Sequence, residues 1–237
     1  MIRPAGFVET IMKIGSLLLL TLTAGVVFGE TKHGQRLEDA ATVLEEVMSA
    51  PDRGIPQDLF NRANCVVIVP GLKKAAFFFG ARYGKGYVSC RNETKTGWSA
   101  PATIRIEGGS FGLQLGATET DLILLVMNRT GADRLMTSKF TLGGTAQAAA
   151  GPLGRQATAE TDALMTAEML SYSRSRGIFA GISLEGATLR QDLDANKSLY
   201  GSRLTTKEIV RDPNVKPTPA GKKFVATLEQ YTNKKAS

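Results

Sequence analysis

The chain has 237 residues, of which 43% are hydrophobic and 22% charged, the balance of a globule that buries a sizeable core rather than of a disordered or fibrous chain. One histidine and two cysteines are too few for a tetrahedral metal site built from nitrogen and sulfur ligands, and no cofactor is expected. The net charge of +7 is concentrated late: residues 30–200 hold nineteen bases against eighteen acids, residues 201–237 eight against three.

Arg3 and Lys13 precede an apolar run from Ile14 to Phe28, followed by Val27 and Gly29 in a small-x-small pattern before Glu30. A basic start, a short apolar stretch and a small-residue site together predict a signal peptide over residues 1–29. The rival is a retained anchor, but the run falls short of the roughly 20 apolar residues a spanning helix needs. On this basis the chain is expected to be secreted or periplasmic, and peripheral to a membrane if it touches one.

Leu37, Ala40, Ala41, Leu44, Val47 and Met48 recur at helical spacing and predict an amphipathic helix over 35–48. Pro51 to Pro56 breaks it, and residues 57–62 add a short helical turn. Cys65 to Val69 is a β-branched run that Pro70-Gly71 is expected to end, which places Lys73 and Lys74 on a turn. Residues 75–83 and 87–91 read as strands flanking a hairpin turn at Gly84-Lys85-Gly86. Residues 103–107 alternate, with Ile104 and Ile106 on one face. Gly108-Gly109 then turns the chain into a further strand at 111–115, and residues 121–128 form an apolar strand. Cys65 and Cys90, both in strand-like segments, are expected to form a disulfide, the alternative being two buried thiols. Gly131 to Lys139 reads as a short helix. The Gly- and Ala-rich stretch 142–154 marks close backbone packing or sharp turns. Residues 161–170 fit helix or strand equally, and 178–184 and 187–189 read as strands. The three prolines of 212–220 make an extended linker. In the final segment, 221–237, Phe224, Val225, Leu228 and Tyr231 line one face of a basic amphipathic helix. Short strands with glycine turns after an N-terminal helix predict an α+β fold, its antiparallel sheet packed as a sandwich or barrel-like core with short peripheral helices.

Catalytic signals fail one by one. Gly108-Gly-Ser-Phe-Gly112 matches a nucleophile elbow, but that elbow needs a histidine after the serine, and His33 precedes Ser110. Gly80-Ala-Arg-Tyr-Gly84-Lys85 is one residue short of a phosphate loop and lacks the following Ser or Thr. Asp192, Asp194 and Asn196 suggest a calcium loop without its glycine and terminal glutamate. The expectation is a non-enzyme. Between Leu59 and Asn92 there is no acid, while Arg62, Lys73, Lys74, Arg82, Lys85 and Arg91 supply six positive charges. Such a field attracts anionic lipid, nucleic acid or acidic protein without choosing among them, unless it is simply a solvated face.

Six ordered segments carry a family resemblance: Val69-Pro-Gly-Leu-Lys-Lys74, Phe79-Gly-Ala-Arg-Tyr-Gly-Lys-Gly86, Gly97-Trp-Ser-Ala-Pro101, Gly112-Leu-Gln-Leu-Gly116 with Thr120-Asp121, Ala150-Gly-Pro-Leu-Gly-Arg155, and Tyr172 to Gly186. Residues 50–201 resemble the SYLF-domain family, the lipid- and actin-associated domain of yeast actin-patch proteins that also occurs in bacterial exported proteins. The resemblance implies a compact α+β domain that binds membrane lipid, phosphoinositides in particular among eukaryotic members. A basic N-terminal helix contributes in some of them. Here that helix carries Glu38, Asp39, Glu45 and Glu46 and is acidic, unlike that basic helix, and the expected signal peptide places the chain in the bacterial exported branch. The sequence is thus expected to be an exported SYLF-type domain (residues 30–211) that contacts anionic phospholipid through the basic surface of residues 62–91, with Lys73, Lys74, Arg82 and Lys85 as site residues, and through the terminal helix (221–237). The alternatives are an envelope protein-binding scaffold and an apolar-ligand carrier, and no nucleic-acid partner is expected. Trp98 is read as fold-making first and as an interfacial aromatic second.

Overall fold

The computed structural model describes residues 32–50, 53–76, 79–92, 94–111, 116–154, 167–175 and 177–232. The apolar run 14–28 and residues 112–115 of the expected strand 111–115 lie outside these, as do residues 161–166.

Among the described residues, six helices and nine strands follow in the order α1 (Lys32–Ser49), α2 (Gln57–Arg62), β1 (Cys65–Ala76), β2 (Phe79–Cys90), β3 (Ala102–Phe111), β4 (Gly116–Val126), α3 (Arg129–Leu135), β5 (Lys139–Thr141), β6 (Ala148–Ala150), β7 (Met169–Ser175), β8 (Ile178–Gly181), β9 (Thr188–Gln191), α4 (Leu193–Tyr200), α5 (Thr206–Arg211) and α6 (Pro219–Tyr231). All nine strands share one sheet, ordered β5-β9-β3-β2-β1-β4-β7-β6 with β8 on β7. The fold is α+β: a curled, largely antiparallel half-barrel with an N-terminal helix and short helices around it. The four long strands stand in Greek-key order, β4-β1-β2-β3.

Both faces of the sheet are covered, which explains why Cys65–Val69 is apolar without alternation. Val66 and Ile68 point to one core with α1, α2 and α6, where Leu37, Leu44, Phe60, Tyr87, Phe224 and Leu228 are buried. Cys65, Val67 and Val69 point to the other, among Ile104, Ile106, Leu135, Leu189 and Ile209. The amphipathic periods of α1 and α6 are thereby satisfied against one another and against the sheet.

Three expected turns lie inside strands. Pro70-Gly71 does not end β1 but bulges it, between Val69 and Leu72 in the pairing with β4. Pro70 has no N–H to give, and Gly71 takes φ +60 and donates its N–H to Asp121 Oδ1 at 2.9 Å instead of to the ladder. Opposite the bulge, Gly84-Lys85-Gly86 is not a hairpin turn but the middle of β2, paired with Ile106, Arg105 and Ile104. The sheet is folded so tightly there that a Cβ on Gly86 would run into the Ile68 carbonyl. Gly108 and Gly109 likewise continue β3, paired with Arg82 and Ala81. A Cβ on Gly108 would lie 2.9 Å from the Gly186 carbonyl oxygen. The Ala-rich stretch forms β6, parallel to β7, and Gly151 lies flat against the Tyr172 ring. β8 and β9 do not pair with each other; β8 joins β7 and β9 joins β3.

Cys65 and Cys90 face each other across β1 and β2, Cα to Cα 3.9 Å, and are disulfide-bonded. Residues 213–217 carry no regular structure. The helix beyond them starts at Pro219, capped by the Thr218 side chain.

Candidate functional site

Side chains directly opposed across an antiparallel pair share a face, and successive residues alternate. This rule divides the four bases predicted as a lipid contact. Lys74 opposes Arg82 on β2 and Thr118 on β4, and Arg82 opposes Gly108 on β3, so Lys74 and Arg82 stand side by side. Lys73 opposes Tyr83 and Glu119, on the other face, which Lys85 shares. None of the four sits on a turn.

Their electrostatic settings differ as much as their faces. Lys85 is committed: its Nζ lies 2.7 Å from Asp192 Oδ2, and the Asp192 side chain is buried. Asp192 also caps α4, accepting the Ala195 N–H at 3.1 Å. Burial pushes its carboxyl up, but the Lys85 and Ala195 hydrogen bonds and the charges of Lys85 and Arg105 outweigh this and hold it below the ordinary carboxylate range. Lys73 is exposed but stands beside acid. Glu119 opposes it, and a recess of about 570 Å³ on this side is lined by Glu46, Glu119, Asp121 and Arg174. Arg174 bridges Glu46 of α1 and Asp121 of β4, the latter at 2.8 Å. Burial raises the Asp121 carboxyl, against the opposing pull of the Gly71 N–H.

Lys74 and Arg82 have no such compensation. Arg82 is 8% exposed, and its Nε and Nη1 find no hydrogen-bond acceptor among the described residues. Burial lowers the pKa of Arg82; that of Lys74 is lowered by burial and then by Arg82 itself. The residues opposing them, Thr118 and Gly108, bring no charge. Two cations forced together without an acid make a site that prefers an anion. Tyr83, 48% exposed, flanks this end of the hairpin on the opposite face.

The remaining expected features are structural. Trp98 is buried, donates from Nε1 to Thr232 Oγ1 at 2.8 Å, packs on Phe60 and lies 4.6 Å beneath the Arg91 guanidinium. Ser99 accepts the Cys90 N–H through its hydroxyl. Asn196 pins β3 to the 204 region, accepting from the Thr103 N–H at 2.7 Å and donating to the Leu204 carbonyl, so residues 192–196 serve as a cap and not as a calcium loop. Gly80 to Lys85 is a strand with no helix behind it, unlike a phosphate loop. Ser110 is in β3, paired with Gly80. Among the described residues no group of three or more His, Cys, Asp or Glu could hold a metal, and no helix is long and apolar enough to cross a membrane. Sequence reasoning misses the pairing of Asp192 with Lys85, because Asp192 reads there only as part of a calcium loop and the two lie more than a hundred residues apart.

Residues 107–231, more than half of the chain, match the family model Ysc84, described as Las17-binding protein actin regulator. An SH3 domain-containing protein of Schizosaccharomyces pombe is 37% identical over 169 residues, 70% of this chain and 39% of its own length. LAS seventeen-binding protein 3 of Saccharomyces cerevisiae is 34% identical over 204 residues, 84% of this chain and 43% of the relative. Human SH3 domain-containing YSC84-like protein 1 is 30% identical over 201 residues, 82% and 58% respectively. The chain thus spans about two fifths of the yeast relatives it matches. These relatives are fungal and vertebrate and carry names of Las17 binding and SH3 domains, which corrects the expectation of a bacterial exported branch. With it fall the secreted or periplasmic location, the exported function and the envelope scaffold offered as its alternative. The export signal was compositional, a basic start and an apolar run, and such a signal does not reach the fold. The family model and the relatives agree on one assignment: the chain belongs to the Ysc84 family of Las17-binding protein actin regulators, the family of the SYLF domain.

Proposed function

We propose that this chain is a non-catalytic binding domain that attaches an actin-regulating protein to anionic phospholipid. The end of the β1–β2 hairpin, with Lys74 and Arg82 at its centre, makes the contact. The observation that carries the reading is the Lys74–Arg82 pair: a guanidinium almost wholly withdrawn from water with two nitrogens lacking an acceptor among the described residues, next to an ammonium, and no acid in the strand positions opposite either. A phosphate group supplies the negative charge that neither finds in its cross-strand partners. Lys73 and Tyr83 add charge and an amphipathic ring on the other face, so a membrane meets the hairpin end-on. Lys85 is assigned to the fold through Asp192 and not to the lipid. The actin-regulatory role is taken from the family description, and the domain's part in it is to supply the membrane attachment.

The test is sedimentation of the full chain with vesicles of graded phosphatidylserine content over a salt series. Binding is expected to rise with anionic lipid and fall with salt, since exposed charge is screened over roughly 10 Å at 0.1 M. Lys74→Glu is expected to weaken it about 30-fold, from about 1 kcal/mol per base near an anionic surface and a reversal of two charges. Wild-type protein that ignores anionic vesicles at low salt refutes the lipid reading. Saturable binding of an acidic peptide by the same pair would then identify a protein partner in its place.

A further inference from the structure

We propose that the pocket at the disulfide end of the sheet is a second anion site, independent of the first, which takes a small phosphate-bearing anion. Asn64, Cys65, Cys90, Arg91, Asn92, Lys95, Arg129 and Arg211 are among its walls, around a volume of about 380 Å³. Four of those residues are basic, and none of the described lining residues is acidic.

Arg91 is the reason to regard this as a built site rather than a basic surface. It is 6% exposed and held on three sides. Its Nε donates to the Ala63 carbonyl at 3.1 Å, its Nη1 reaches the Lys95 carbonyl at 3.5 Å, and the Trp98 ring covers one face at 4.6 Å. Its Nη2 is buried and finds no hydrogen-bond acceptor among the described residues. A guanidinium stays charged at any ordinary pH, so its burial in the pocket wall leaves positive charge that an anion in the pocket offsets. The other three cations come from separate elements. Lys95 lies on the turn after β2, held there in a left-handed conformation (φ 56). Arg129 opens α3, and Arg211 closes α5. Arg211 has a long hydrogen bond to exposed Asp133 at 3.5 Å, a contact that solvent weakens. Cations converging from four directions favour a multiply charged, tetrahedral anion over a single carboxylate, and arginine forks fit phosphate oxygens in pairs. Lys73 stands eight residues along β1 from Cys65, roughly 25 Å at strand rise, so the two sites do not share a ligand.

The experiment titrates the full chain with pyrophosphate at fixed ionic strength, by calorimetry, with acetate as the monoanionic comparison. Saturable pyrophosphate binding at least tenfold tighter than acetate is expected. Lys95→Ala combined with Arg129→Ala, both exposed positions, is expected to weaken it tenfold or more with unchanged circular dichroism, while Lys74→Glu leaves it unaltered. The same double variant is then sedimented with phosphatidylserine vesicles. Unchanged vesicle binding assigns the pocket to a free phosphorylated molecule, and reduced binding assigns it to a headgroup. Absence of saturable pyrophosphate binding, wild-type affinity in the double variant, or loss in Lys74→Glu instead overturns the proposal. The last outcome would leave one anion site, at the hairpin end, standing.

Discussion

Replacing Lys85 by Met tests the division of the bases more sharply than any charge reversal. The substitution keeps the length and apolar stem of the side chain and removes the ammonium 2.7 Å from Asp192. Asp192 is 5% exposed and keeps its Ala195 N–H, so it is left as a buried carboxylate with part of its support. Breaking a fully buried ion pair costs about 3–5 kcal/mol. Lys85 is 30% exposed, and solvent screening reduces the expected loss to roughly 1–3 kcal/mol. Urea unfolding at pH 7 measures it. The pH dependence adds a second readout. A carboxyl held below its unfolded pKa contributes stability that is present above about pH 4 and lost as pH falls through the lower folded value. That acid limb should flatten in Lys85→Met as Asp192 moves up towards its unfolded pKa. Vesicle binding should stay near wild type. A variant of unchanged stability that no longer binds vesicles would refute the assignment of Lys85 to the fold.

Reduction of the disulfide, or Cys65→Ser with Cys90→Ser, is expected to lower stability by roughly 3 kcal/mol, and thiol titration of unreduced, denatured wild type should find no free thiol. His33 is held below its ordinary pKa by burial and by the charges of Lys85 and Arg36, so the unfolded chain takes up its proton first. Its contribution to stability is therefore full above about pH 6.5 and declines as pH falls below it. His33→Gln should remove that slope from thermal melts between pH 7.5 and 5.5, and an unchanged slope would exclude His33 as its source. Gly86→Ala should cost several times the roughly 0.5–1 kcal/mol that alanine normally gains in a strand, because its Cβ meets the Ile68 backbone; a stable variant would show that the close approach of β1 and β2 is not required.

Hydrophobic spacing carried the elements whose faces see different surroundings. Ile104 and Ile106 are buried while Arg105 and Glu107 face outward, and α1 buries the residues its period selects. Glycine and proline were the ambiguous punctuation. Pro70-Gly71, Gly84, Gly86, Gly108 and Gly109 read as turns, yet they allow a bulge and close crossings within long strands. A glycine that turns the chain and one that admits a neighbouring backbone have the same local sequence. The acid-free run 59–92 located the candidate cations but not their roles. Strand alternation separates Lys73 from Lys74, Asp192 takes Lys85, and Arg91 at the far end shares a pocket with Arg129 and Arg211 from later helices. Those partners are long-range, and no local pattern announces them.

The location of the membrane contact can be measured directly. Vesicles carrying a spin-labelled lipid broaden the amide signals of whatever residues lie nearest the bilayer in the bound, isotope-labelled chain. Attachment through Lys74 and Arg82 requires that Lys73, Lys74, Ala81, Arg82 and Tyr83 broaden first, with Trp98, Leu228 and the amides around Asp192 unaffected at the same label density. Broadening that begins on α1 or α6, or that is spread evenly over the domain, would contradict the account.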